Sequence, residues 1–181
     1  MALAPALLLS MPQMLDPNFA RTVVLLCEHG DEGAFGLVVN RPAETTAAEA
    51  VQLDPALVEP NGLPLRIGGP VEPQRGWILT AVPTEEADTR AIGAGLYLSA
   101  SPYALREVLQ THPAPPHTAV LAGYAGWGPG QLDAELAESA WLIMPVELDI
   151  VFELPSETAW ETAIRRLGAD PSLLQAGHGV H

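Results

Sequence analysis

The sequence contains no lysine. Without a side-chain amine, no Schiff base can form on the protein. A Walker-type phosphate loop is excluded for the same reason. The eight basic residues are all arginine (Arg21, Arg41, Arg66, Arg75, Arg90, Arg106, Arg165 and Arg166), against 22 Asp and Glu, and the formal net charge is −14. The arginines are scattered, so no basic stripe can neutralise a run of phosphates, and direct nucleic-acid binding is disfavoured. The one basic pair, Arg165-Arg166, falls near the end of an expected helix, where cations complement the dipole. Cysteine is nearly absent as well. Cys27 stands alone, which excludes an internal disulfide framework and fits the reducing conditions of the cytoplasm. No stretch approaches the ~20 apolar residues of a membrane span. The apolar start, residues 1–9, lacks a basic leader and is soon broken by Pro12, so it reads as an early buried segment and not as a signal peptide.

What is present suits one folded domain over residues 1–181, with a frayed tail after about residue 174. Hydrophobic residues make up 48% of the chain, which argues against disorder. The 18 prolines and 16 glycines are spread throughout and favour many short elements joined by tight turns.

Two apolar runs, residues 22–28 and 34–39, flank a turn-rich stretch at residues 29–33. They predict a β-hairpin with a loop of about five residues. Neither run alternates cleanly, so both faces of this hairpin are expected to be covered. Thr46-Ala47-Ala48-Glu49 has capping-box spacing and predicts a short helix. Strands are expected at residues 66–67, 77–80, 96–98, 118–122, 141–144 and 150–152. Ser101-Pro102 opens a helix to about Thr111, with serine as cap and proline at the first position. Further helices are expected at residues 129–139 and 156–167, the last stopped by Gly168 and Pro171. Hairpins outnumber crossovers. The fold class is therefore α+β: a curved, largely antiparallel or mixed sheet, curling towards a barrel, with helices packed on it.

Cys27-Glu28-His29 is the most chemically suggestive triplet. On a regular strand Cys27 and His29 share a face, and a histidinium beside a thiol would make it reactive. The competing reading is a small buried hydrophobe ending a core strand. Metal binding has no support, because the other histidines lie far off at no recognised ligand spacing. A second group, Asp16, Asn18, Arg21, Asn40 and Arg41, should gather where the hairpin strands begin and end. It could hold a small anion or a partner's carboxylate, or it could be turn chemistry with an Asp16–arginine pair. Strand rise puts this end roughly 20 Å from Cys27 and His29, so one active site cannot contain both groups. Residues 123–132 read as a glycine-rich strand-to-helix turn. Pro129 lacks an N–H, Asp133 and Glu135 already place negative charge at the helix start, and the spacing misses G-x-G-x-x-G, so the stretch serves close packing around Trp127 better than it serves phosphate, with Gly126 and Trp127 as further candidates for a ligand or partner surface. No G-x-S-x-G elbow exists.

Three segments together resemble the AlgH/YqgE family of bacterial proteins. They are residues 10–19 continuing through 22–29 to 36–42, residues 68–71 with Arg75-Gly76-Trp77, and residues 123–132 through Trp141-Leu142. The likeness spans roughly residues 8 to 155, with Pro129 and the short tail as departures. It implies an α/β-type protein of the bacterial cytoplasm with no assigned reaction. The family's Cys-Glu-His, Asn-Arg-Pro and Gly-Trp segments map onto residues 27–29, 40–42 and 126–127. One member gave the family a label as a regulator of alginate synthesis, often written as transcriptional regulator, but the charge balance argues against direct DNA contact here. The leading expectation is a non-enzymatic binding or regulatory protein for a protein or small ligand, with no cofactor, no metal and no membrane contact, and compatible with a homo-oligomer. The alternative is a redox sensor or enzyme using Cys27.

Overall fold

The structure is a computed structural model and describes residues 3–84 and 88–169; the tail beyond residue 174 lies outside them. The elements run β1 (Ala6–Ser10), β2 (Val23–Gly30), β3 (Gly33–Val38), β4 (Pro42–Thr46), α1 (Ala47–Ala50), β5 (Pro64–Ile67), β6 (Val71–Thr80), β7 (Thr89–Gly93), β8 (Leu96–Ser99), α2 (Pro102–Leu109), β9 (Thr118–Trp127), α3 (Gln131–Ala137), β10 (Trp141–Met144), α4 (Leu148–Phe152) and α5 (Ser156–Arg166).

The strands lie in the order β10-β1-β2-β3-β9-β6-β8-β7, with β5 against β9 and β4 against β5. The pairing of β5 with β9 is parallel, whereas the successive neighbours from β10 to β7 are antiparallel. The result is the expected α+β architecture, a mostly antiparallel sheet curled into a half-barrel with a few helices packed on it. Strand β9 makes the curl. Its first half pairs with β5 and β6, while Ala125, Gly126 and Trp127 pair with β3. One strand thus belongs to both halves.

Successive side chains on a strand point to opposite faces, and β2 shows why its run does not alternate in polarity. Val23, Leu25 and Cys27 enter one core with Trp160, Ala163 and Ile164 of α5 and Ile150 and Val151 of α4. Val24 and Leu26 enter a second core with Leu132 of α3, Trp127 and Trp141. Each fully buried Val or Leu contributes about 1.5–3 kcal/mol, so both faces demand apolar residues. A third cluster joins Ala47, Leu109 and Val120.

The caps read from sequence are present. The Thr46 and Ser101 hydroxyls accept the amides of Glu49 and Ala104, filling N-terminal donors that a helix cannot satisfy itself. The helix expected to start at Pro129 starts at Gln131, after Gly130 in the left-handed region at φ 74°.

Several expectations are corrected. The hairpin is tighter than five loop residues: Gly30 pairs with Gly33, leaving Asp31-Glu32 as the loop. Residues 123–127 are strand, not turn; Gly123, at φ 79°, permits a close backbone approach to Gly69. Residues 150–152 are helical, inside α4. A short apolar run does not distinguish a buried strand from a buried helix turn. The strands β4 and β7 were not anticipated; both are short and half-exposed.

Candidate functional site

The triplet Cys27-Glu28-His29 sits on a β-bulge. Leu26 pairs with Gly36 and Glu28 with Phe35, so Cys27 and Glu28 together oppose one residue. A bulge re-aims the side chains that follow it. Cys27 therefore stays with the first core. His29 falls opposite Ala34, which packs on the second core. The bulge thus overturns the expectation that the two share a face.

Each is also occupied. The Cys27 side chain is buried, and desolvation pushes its pKa up to about 12, the largest of the influences on it. A thiol held neutral is a poor nucleophile. His29 Nδ1 accepts from the Leu3 amide at 3.1 Å, and Nε2 lies 2.9 Å from Asp133 Oδ1. This network requires the tautomer protonated at Nε2, which donates to the carboxylate. The imidazole thereby ties the chain start and α3 to the hairpin.

The thiol gives a pH prediction. The folded-state pKa lies above the unfolded value of 9.0, so between pH 9 and 12 the native state holds a proton that the unfolded state loses. The sign of the linkage makes stability fall as pH rises through that window, with a limiting slope of about 1.4 kcal/mol per pH unit. Urea titrations at several alkaline pH values should show this loss. Cys27→Ala should flatten that component of the profile, and an unchanged profile would contradict the burial argument.

The second group assembles as expected but for a different purpose. Asn40 Oδ1 accepts the Val23 amide at 2.8 Å, and its Nδ2 donates to the Arg21 carbonyl at 3.0 Å. Arg41 donates to the carbonyls of Pro17 at 2.6 Å and Ala20 at 3.0 Å. Asp16 Oδ1 accepts the Asn18 amide. Arg21 pairs with Glu161 and lies over the Trp160 ring, so an Asp16–arginine pair is not what holds this corner. Asn40 and Arg41 spend their polar atoms on the backbone of the segment leading into β2.

Gly126 lies beside Phe35 in the β3–β9 pairing. Trp127 packs in a cluster with Phe19 and Trp141. The indole N–H groups of Trp127 and Trp141 both donate to Glu135 Oε1, at 3.0 and 2.8 Å. Trp127 also walls an open cleft with residues 28–35 of the hairpin, which does not reach Asn40.

A third constellation was not singled out from sequence. Phe35, Trp77 and Tyr124 pack in tilted and edge-to-face contacts with centroids 5.0–6.2 Å apart. Arg75 lies 4.5 Å over Trp77, and Arg90 lies 5.9 Å over Phe35 while pairing with Glu28. Tyr124 donates to Glu72, a bond that raises the phenol's pKa above its ordinary value. Arg75 and Trp77 belong to the Arg75-Gly76-Trp77 segment of the family resemblance, but only the sheet register brings Arg90 and Phe35 to them. Among the described residues no group of three or more His, Cys, Asp or Glu is arranged to hold a metal ion. No helix among them is long and apolar enough to cross a membrane.

Comparison with known proteins agrees with this fold. The family model described as DUF179, AlgH-like, matches residues 7–172. A UPF0301 protein of Anaeromyxobacter dehalogenans is 43% identical over 188 residues, covering 98% of this chain and 94% of its own. One from Ruegeria pomeroyi is 37% identical, covering 99% of both chains. The solution structure of the AlgH protein of Pseudomonas aeruginosa superposes with a TM-score of 0.77 at 40% identity, covering 94% of this chain and 92% of that one. A Corynebacterium diphtheriae protein, DIP2367, shares the fold at 21% identity and a TM-score of 0.69, over 90% of this chain and 85% of that one. The match of residues across nearly the whole length, with the fold, establishes that the chain belongs to the AlgH-like family.

Proposed function

We propose that this chain acts by binding, as a cytoplasmic regulatory or ligand-carrying protein, and not by turning over a substrate. The observation that supports this most is the separation of Cys27 from His29. The thiol is buried as a neutral group in one core, and the imidazole has both nitrogens bonded on the other side of β2. Nucleophilic catalysis needs the nucleophile and its base within hydrogen-bond reach, and this pair is arranged against it. The same geometry weighs against Cys27 as a redox sensor, because sensors need an accessible thiolate. The charge of −14 favours a protein or small-molecule partner over direct contact with DNA.

The test combines binding with turnover. Thermal unfolding in the presence of a panel of central metabolites should show a rise in Tm for at least one class, since a ligand that binds only the native state stabilises it. One-dimensional NMR of the same mixtures should show that ligand unchanged after prolonged incubation. Steady consumption of a stabilising ligand would overturn the reading. Iodoacetamide at pH 7.5 should label Cys27 slowly in the folded protein and rapidly in guanidinium chloride; equal rates would restore the thiol as a reactive group.

A further inference from the structure

We infer that the arginine–aromatic cleft at the rim of the half-barrel, walled by Arg75, Trp77, Asp88, Thr89 and Arg90, is a binding site for a small oxyanion, a carboxylate or a phosphate. The inference rests on the reading of the chain as a binder and gives that binder its ligand chemistry.

Register builds the site. Leu79 pairs with Leu98, and Leu98 pairs with Arg90, across β6, β8 and β7. Side chains two residues apart share a face of a strand. Trp77 and Arg75 continue Leu79's row, Ala100 continues that of Leu98, and Asp88 that of Arg90. Arg75, Trp77, Ala100, Leu98, Arg90 and Asp88 thus meet on one face, around a cavity of about 340 Å³. That volume admits a small metabolite.

Charge singles the cleft out. Among the described residues, six of the eight arginines are tied to acceptors. Arg21, Arg90 and Arg166 bond carboxylates, and Arg41, Arg66 and Arg106 bond backbone carbonyls. Arg165 stands exposed in the last turn of α5. Among the described residues Arg75 has the Trp77 ring as its contact and no hydrogen-bond acceptor. A guanidinium resting on an indole keeps its edge, with its fork of N–H groups, free for an oxyanion. In a chain with 22 acidic residues, an uncommitted arginine beside a second one is the exception.

Trp77, in the wall of the cleft, also carries an unsatisfied donor. It is 7% exposed, and its buried indole N–H has no hydrogen-bond partner, whereas the indole donors of Trp127, Trp141 and Trp160 are all satisfied. Buried polar groups without partners are rare and call for an explanation. Arg90 links the cleft to the other half of the sheet through Glu28 and Phe35. An oxyanion drawing on Arg90 competes with Glu28, so removing that carboxylate's charge should favour binding. Asp88 in the wall opposes high negative charge and suits a ligand bearing one anionic group.

The indole cross-peaks of ¹H–¹⁵N spectra report on this directly, with Trp77 assigned by Trp77→Phe. Inorganic phosphate and acetate, each added at constant ionic strength, are the probes. At least one should shift the Trp77 peak saturably, with a Kd near or below about 1 mM, and comparison of the two tells phosphate from carboxylate. Arg75→Ala, at an exposed position, should weaken the response at least tenfold, with Arg75→Lys intermediate. Glu28→Gln should tighten it. A Trp77 peak unmoved by both anions, or a response that survives Arg75→Ala, would overturn the site while leaving the binding role standing. Binding at this cleft followed by consumption of the ligand would do the reverse, confirming the site and sinking the non-catalytic reading.

Discussion

Trp160→Ala should lower the stability of the fold by about 3–5 kcal/mol, the range for truncating a buried aromatic. Trp160 is 3% exposed and sits on α5 in the first core, with Leu7, Leu9, Val23 and Leu25. Its indole N–H donates to the Ser10 carbonyl at 2.8 Å, from a residue 150 positions away. Arg21 covers the outer ring face at 4.4 Å and pairs with Glu161. The side chain therefore joins the end of β1, the entry to β2 and the last helix. Against a total stability of about 5–15 kcal/mol, its loss is large, and the melting temperature should fall by roughly 10 °C. Trp160→Phe should retain most of the packing and lose chiefly the hydrogen bond, about 1 kcal/mol. Urea midpoints measured at equal m-values separate the two variants. A cost below about 1 kcal/mol for the alanine variant would mean that α5 is not an integral part of the core.

The elements that were legible from sequence share a physical signature. The β2–β3 hairpin announced itself by apolar runs meeting at glycine, and α1 and α2 by the threonine and serine that cap them. β4 and β7 lacked such a mark. They lie half-exposed at the margins of the sheet, where little burial is required and so little hydrophobic pattern is imposed. The glycine-rich stretch was misread because glycine signals close approach as well as turning, and in β9 it allows the former.

The site was less legible than the fold. Nothing in Cys27-Glu28-His29 announces a bulge, and a shift of one residue in pairing exchanges the faces of all that follows. Asn40 and Arg41 were recognised as a cluster with Asp16, Asn18 and Arg21. Their role depended on where the carbonyls of residues 17–21 needed donors, which only the folded backbone reveals. Arg75 and Trp77 on β6 reach Arg90 on β7 only through β8, whose pairing with β6 is non-local. Glu135, one of 22 acids, reads from sequence only as negative charge at a helix start.

That carboxylate carries the second large prediction. Glu135 of α3 accepts two indole N–H groups on one oxygen, from Trp127 at 3.0 Å and Trp141 at 2.8 Å, while its other oxygen accepts from Gln131 at 3.1 Å. Both tryptophans are buried, at 7% and 4% exposure. They stand at opposite ends of the segment 127–141, which contains α3, so the acceptor fastens that helix to the ends of β9 and β10. Glu135→Ala would strand two buried donors. Each costs about 1–3 kcal/mol when left without a partner, and partial access of water from the half-buried α3 side offsets some of this, so the expected loss is about 2–4 kcal/mol. Glu135→Gln keeps a side-chain oxygen for the indoles but gives up the charge-assisted strength and sets an amide against Gln131, so it should fall between wild type and alanine. Urea denaturation ranks the three proteins. In ¹H–¹⁵N spectra the Trp127 and Trp141 indole protons should exchange with solvent faster in the alanine variant, while that of Trp160, bonded to Ser10 in the other core, should hardly change. Equal stability of the alanine and wild-type proteins would show that this carboxylate does not hold the two tryptophans.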